Sequence, residues 1–142
     1  MILPDLNLLV YAHNSSSRHH EAAYAWMKDL FVGPETVGIP WAVVLGFIRL
    51  LSNGKVTGNP MDPAQLTADV RTWLDFPGVR MVTPGVRHLG IVRELFSSSG
   101  CSGRLTTDVH LAALAIELDA VLHSNDADFG RFPGLTWVNP LG

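Results

Sequence analysis

The sequence predicts an α/β domain of three layers, with a central, mostly parallel sheet flanked by helices on both faces. Three observations lead there. Short apolar runs of β character alternate with helix-period segments along the whole chain, the order expected of units that wind around a parallel sheet. The chain has 142 residues, which suits a single domain over 1–142 with a substantial core. Asp5, Asp108, Asp126 and Asp128 each follow a short β-like run, and sites in open α/β sheets form beyond the carboxyl ends of the strands.

In order, Met1 to Pro4 reads as a short buried strand ending at Asp5, although Pro4 lacks an N–H for a ladder. An apolar helical turn continues through Tyr11. Arg18 to Leu30 is an amphipathic helix with Ala22, Trp26 and Leu30 at i, i+4 and i+8, stopped by Gly33-Pro34. Val37 to Pro40 is a short strand or connector. Trp41 to Leu51 is an apolar helix expected to be buried on most sides, and Lys55 to Pro63 is a loop punctuated by Gly and Pro. Ala64 to Leu74 is a helix, Arg80 to Val82 a strand and Val86 to Phe96 a helix. Ser97 to Gly103 reads as a flexible loop. Thr106 to Leu118 is helical, Ala120 to His123 a strand, Asp126 to Phe132 a turn or short helix, and Leu135 to Val138 a last strand.

Hydrophobic residues make up 47% of the chain and charged residues 16%, with a net charge of −3. That balance implies a rather apolar surface suited to a partner or a second copy, and argues against a general nucleic-acid coat. Cys101 is the one cysteine, so no internal disulfide forms and a reducing cytoplasm is expected. The longest apolar stretch, Ile39 to Leu51, is too short to span a bilayer and contains Arg49. The N-terminus has no basic region of the kind that opens a signal peptide.

Each aspartate taken singly is explained as a helix cap or turn residue. Four at such junctions, with no evident local Lys or Arg partner, point instead to one carboxylate cluster. Clustered carboxylates repel and call for a cation. Mg2+ or Mn2+ prefers the oxygen ligands offered and serves phosphate chemistry. Asn7, Thr107 and Ser124 adjoin these acids, where they would orient a ligand or a water. Arg49, Arg87 and His88 are candidate phosphate contacts, each also explained as a solvated helix face. His13, His19 and His20 read as solvent-facing, and the four tryptophans as core or interface residues rather than stacking platforms. His20-Glu21 lacks the second histidine of a zincin, and Asp126-Ala127-Asp128 lacks the glycine and glutamate of a calcium loop. Asp128-Phe129-Gly130 spells the kinase tripeptide without the other kinase motifs. A phosphohydrolase would need an acid in place of Asn7, and a receiver domain a late lysine; the chain has neither.

The segments D-L-N-L-L-V-Y-A, T-D-V-H-L-A-A-L-A, S-N-D-A-D-F-G-R-F and L-T-W-V-N-P-L, with P-W-A-V-V-L-G-F-I-R-L between them, together resemble a PIN domain of the VapC toxin type. The resemblance runs over nearly the whole chain. It implies a compact parallel sheet with helices on both faces, and a Mg2+- or Mn2+-dependent endoribonuclease that is a toxin held in check by a VapB-type antitoxin. It also implies a homodimer. Asp5, Asp108 and Asp126 are then the catalytic and metal-binding acids and Asp128 an auxiliary ligand; Asn7, Arg49 and Thr107, from their own chemistry and position, are the candidate substrate contacts. One departure stands out: many PIN domains carry a glutamate three residues before the middle-helix arginine, where this chain has Gly46. The alternative is therefore a catalytically degenerate PIN domain that binds antitoxin or RNA without cleaving.

Overall fold

The computed structural model describes residues 1–142. Five parallel strands form one sheet in the order β3-β2-β1-β4-β5, with β1 at Ile2–Pro4, β2 at Val37–Pro40, β3 at Val79–Val82, β4 at Val121–His123 and β5 at Thr136–Val138. The helices are α1 (Leu6–His13), α2 (His20–Val32), α3 (Trp41–Leu51), α4 (Pro63–Leu74), α5 (His88–Ser99) and α6 (Thr106–Glu117). The chain steps from β1 to β2 to β3 in one direction, then returns past β1 to β4. Right-handed crossovers put the helices of the two directions on opposite faces. Helices α1 to α4 accordingly pack along one another, while α5 packs on α6. The reversal makes the carboxyl ends of β1 and β4 the switch point of the sheet.

Pro4 helps to open that point. The Ile2 N–H donates toward β2, to Thr36 O at 2.8 Å, so alternation along the strand would aim the residue 4 N–H the same way. Proline has none, and β1 pairs with β2 only at Ile2↔Val37. On its other side β1 pairs with β4 through Pro4↔His123, and Asp5 N–H donates to His123 O at 2.8 Å. The carboxyl end of β1 is thus held to β4 and left unpaired from β2, where α1 and α3 begin.

Several sequence expectations need correction. The buried face of α2 is Ala23, Met27, Leu30 and Phe31, not the Ala22–Trp26–Leu30 stripe; Ala22 is exposed and Trp26 half-buried. Helix α3 has the expected bounds but is not buried on most sides, since Trp41, Leu45 and Arg49 form an exposed stripe. Ser97–Ser99 belong to α5, which begins at His88 and ends on Gly100 at φ 66°. The expected flexible loop shrinks accordingly, because a left-handed glycine cap lets a helix run to its very edge. No helix is long and apolar enough to cross a membrane.

His13 is not solvent-facing. Its ring packs edge-on against Phe47 at 4.9 Å, its Nδ1 lies 2.8 Å from Leu9 O, and burial pushes its pKa down. His20 is tied by Nδ1 to Tyr11 O at 2.9 Å. Trp73 is core and Trp41 is exposed.

Candidate metal centre at the sheet switch point

Asp5 follows β1 directly and caps α1, its Oδ1 accepting the Leu6 N–H at 2.7 Å. Its other oxygen accepts from Ser124 Oγ at 2.7 Å, and that hydroxyl in turn accepts the Asp126 N–H at 3.0 Å. Ser124, wholly buried after β4, therefore ties the acid of one strand to the acid of its neighbour. Asp126 caps the short 3-10 turn Ala127–Arg131, with Oδ1 accepting the Asp128 N–H at 2.9 Å. Asp108 sits in the first turn of α6, where a negative charge is favoured by the helix dipole.

Asp5, Asp108 and Asp126 line one cavity of about 110 Å³, together with Leu6, Asn7, Ala42, Val43, Thr107 and Leu111. No lysine or arginine lines it. Asp5 is only 6% exposed, and burial pushes its carboxyl up to about 6, with Asp108 and Asp126 adding repulsion against the hydrogen bonds that favour its ionised form. The Asp108 carboxyl is likewise raised by burial, then by Asp126 and Asp128, with Arg131 opposing. Asp5 and Asp108, raised first by burial and then by neighbouring carboxylates, in a wall without lysine or arginine, suit a hard divalent ion. No three His, Cys, Asp or Glu side chains stand close enough to form a closed ligand cage. Mg2+ does not require one, since it keeps several waters and is held through one or two carboxylates. The donor set fits such an ion.

The remaining expected site residues divide. Asn7 and Thr107 line the cavity; Arg49 and Asp128 do not. Asp128 is not free of a basic partner, for its side chain is half exposed and pairs with Arg131 at 3.4 Å. Arg87 and His88 are occupied structurally. Arg87 donates to Glu117 O at 2.9 Å, and His88 Nε2 lies 2.9 Å from His110 Nδ1. Ser124 was legible only as a neighbour of the acids; its bridging position depends on the β1–β4 register.

Gly46 packs where α3 crosses α1. A Cβ there would come within 2.5 Å of Leu6 Cδ2, and Leu6 lines the cavity. Glu21 and Glu94 are exposed and outside the cavity, so neither replaces the missing glutamate. Gly46→Ala is expected to destabilise by about 1 kcal/mol net, overpacking of about 1–3 kcal/mol outweighing the gain in helix propensity of about 1 kcal/mol. Gly46→Glu should cost more, since it also buries a charge. Urea unfolding measures both; a Gly46→Ala protein more stable than wild type would show that Leu6 yields freely.

A carboxylate-lined cavity at the switch point of a five-stranded parallel α/β sheet defines a class of small acidic-site domains. The PIN domain family profile matches residues 2–135. The chain is 43% identical over 141 residues to Ribonuclease VapC33 of Mycobacterium tuberculosis, covering 99% of both sequences. It is 36% identical over 140 residues to Ribonuclease VapC37 of the same species, covering 99% of this chain and 97% of that one. In structure it resembles a chain of VapBC2 from Rickettsia felis bound to a promoter DNA fragment, with a TM-score of 0.71, 22% identity and 98% of each chain covered. The chain belongs to the PIN-domain family, in its VapC branch.

Proposed function

We propose that this protein is a divalent-metal-dependent endoribonuclease acting as the toxin of a toxin–antitoxin pair. The observation that carries the reading is the convergence of Asp5, Asp108 and Asp126 on one cavity without a basic residue, in a chain whose relatives at 43% and 36% identity are ribonucleases. Asp5 and Asp108 are assigned as the principal ligands of Mg2+ or Mn2+, and Asp126 as a third ligand or as the base that orients the attacking water. The ion supplies Lewis acidity and positive charge at the scissile phosphate. Asn7 and Thr107 offer an amide and a hydroxyl to phosphate oxygens or to water at the cavity wall. Asp128, outside the cavity, adjusts Asp108 through its charge. Single-stranded or looped RNA is the matching substrate, because its backbone and splayed bases are accessible.

A VapB-type antitoxin is the matching partner, since VapBC2 from Rickettsia felis is a fold neighbour. An apolar groove of about 530 Å³ between α2 and α4, with Met27, Phe31 and Trp73 in its wall, offers such a partner a hydrophobic seat. Val32→Glu is expected to weaken antitoxin binding about tenfold or more while leaving metal-dependent cleavage intact, because Val32 lines the groove yet is 71% exposed in the free chain, so its charge loses water only when the partner binds. Calorimetric titration of antitoxin into both proteins, alongside an RNA digest, measures it.

Expression of the chain without antitoxin in a bacterial host tests the reading as a whole. Growth arrest that disappears with Asp108→Ala is expected; arrest of equal depth with the variant would remove the nuclease assignment. Gly46, in place of a further carboxylate, motivates a second reading, a PIN domain that binds antitoxin or RNA but does not cut. Failure to bind Mg2+ or Mn2+ by calorimetry, even with RNA present, would favour it.

A further inference from the structure

Ser124, which joins Asp5 to Asp126, is itself held by β5. Its N–H donates to Val138 O at 3.0 Å, one rung beyond the pair His123↔Val138. In a parallel ladder a residue that donates to position 138 accepts in turn from the N–H of position 140. Position 140 is proline, which has no N–H, so that rung cannot form. The Ser124 carbonyl accepts instead from Trp137 Nε1 at 2.9 Å. Trp137 lies on β5 opposite Leu122, outside the acidic cavity. Its ring makes a second contact. A Cβ on Gly130 would come 3.5 Å from Cζ3, so the 3-10 turn that Asp126 caps rests against the benzene ring of the indole.

We propose that Trp137 is a positioning residue of the nuclease: its indole N–H stands in for the missing rung and fixes the Ser124 peptide, and through it the separation of Asp5 and Asp126. The proposal rests on the ribonuclease reading and adds a residue that touches neither cation nor substrate. Ser124 is wholly buried, so its carbonyl has to find a donor within the chain. Without the indole that peptide is free to rotate, and the Oγ shared by the two acids moves with it. The rest of β4 keeps its pairing to β1 and β5, so the fold bears little of the change. The acids bear more, since ligand geometry must hold to about 0.5 Å.

The test uses the full chain, free of antitoxin, as wild type, Trp137→Phe and Trp137→Phe/Pro140→Ala. Trp137→Phe keeps an aromatic ring against the turn and removes the N–H, while Pro140→Ala returns a backbone donor to the empty rung. Trp137→Phe is expected to raise the calorimetric Kd for Mn2+ about tenfold, the low end for loss of a residue that orients a ligand. It should lower kcat on a fluorescent single-stranded RNA about tenfold with KM nearly unchanged, since the substrate contacts stay in place. Adding Pro140→Ala should recover part of both losses, which a mere change of packing would not. A folded Trp137→Phe protein with wild-type kcat and Mn2+ affinity would overturn the proposal and leave the nuclease standing. The indole resonance of the wild-type protein gives a second reading should Trp137→Phe not fold. The Trp137 N–H signal, identified by elimination with Trp26→Phe, Trp41→Phe and Trp73→Phe, is expected to shift when Mg2+ is added. A signal that stays in place while the same Mg2+ drives RNA cleavage would likewise overturn the proposal. A wild-type protein that neither binds Mn2+ nor cuts RNA would remove the ribonuclease reading, and the proposal with it.

Discussion

Asp5→Asn is expected to stabilise the metal-free protein at pH 8 while removing metal-dependent cleavage. The Asp5 carboxyl titrates near 6 in the fold against an ordinary value of 3.8. A raised carboxyl favours the folded state fully only below its unfolded pKa, and that contribution is lost as pH rises through the folded one. Between about pH 4 and pH 6 the native protein therefore gives up roughly 3 kcal/mol, at 1.36 kcal/mol for each pKa unit. Asparagine stays neutral throughout. It keeps an oxygen for the Leu6 N–H and offers its amide to Ser124, so most of that amount should reappear as stability at pH 8 and vanish at pH 4. Activity moves the other way. Loss of a charged ligand facing the cation should lower cleavage about a thousandfold, several kcal/mol of transition-state stabilisation. Added Mn2+ should reverse the order of stability, because only wild type gains from the ion, by about 4.1 kcal/mol at a thousandfold excess over Kd. Thermal melts at pH 4 and pH 8, with and without Mn2+, read all of this. A variant less stable than wild type at pH 8 without metal would mean that Asp5 is ionised at no cost, and that its neighbours already satisfy it.

Ser124→Ala is expected to damage the site without touching a ligand. Ser124 Oγ donates to Asp5 at 2.7 Å and accepts from the Asp126 N–H at 3.0 Å. Its removal leaves a buried carboxylate oxygen without a donor, at about 1–3 kcal/mol, and takes the acceptor from the part-buried Asp126 amide. The hydrogen bond to Ser124 holds the Asp5 pKa down, so the variant should push it further up. Cation binding requires the ionised form, and its onset should therefore move to higher pH. A loss of about 10- to 100-fold in metal affinity is the usual consequence of removing a residue that orients a ligand. The loss should be largest at pH 6 and shrink by pH 8. Calorimetric Mn2+ titrations at pH 6, 7 and 8 decide the matter; equal affinity at every pH would leave Ser124 a merely structural residue.

The acids were legible because their positions are local. Asp5 ends β1 and opens α1, and Asp126 stands just past β4, so both reach the carboxyl edge whatever else the chain does; Asp108 follows no strand, but opens α6 after α5 and a 3-10 turn, and only the packing of α6 brings it there. Helix α3 was legible to the residue, bounded by Pro40 and by Ser52-Asn53-Gly54. What escaped depends on partners distant in sequence. The two sides of α2 both carry apolar residues, and packing on α1 selects Ala23 and Met27 over Ala22. Trp26 is left at the margin, where its N–H finds His123 Nδ1 at 3.0 Å. His13 reads as a polar helix end until Phe47 arrives from α3 to cover it. The exposure of Trp41 was hidden by the apolar character of α3, since nothing local tells which side of such a helix lacks a neighbour. In the sequence Gly46 reads as a missing carboxylate; that it also admits Leu6 against α3 follows only from the crossing of the two helices.

The most direct test is an RNA digest with the purified chain, free of antitoxin, in Mg2+, in Mn2+ and in chelator, with Asp108→Ala beside it. Discrete cleavage that requires the ion and is absent from the variant is the predicted result, and it would show that the three-aspartate cavity works without a carboxylate at Gly46. Cleavage that persists in chelator, or that Asp108→Ala retains at the wild-type rate, would contradict the account.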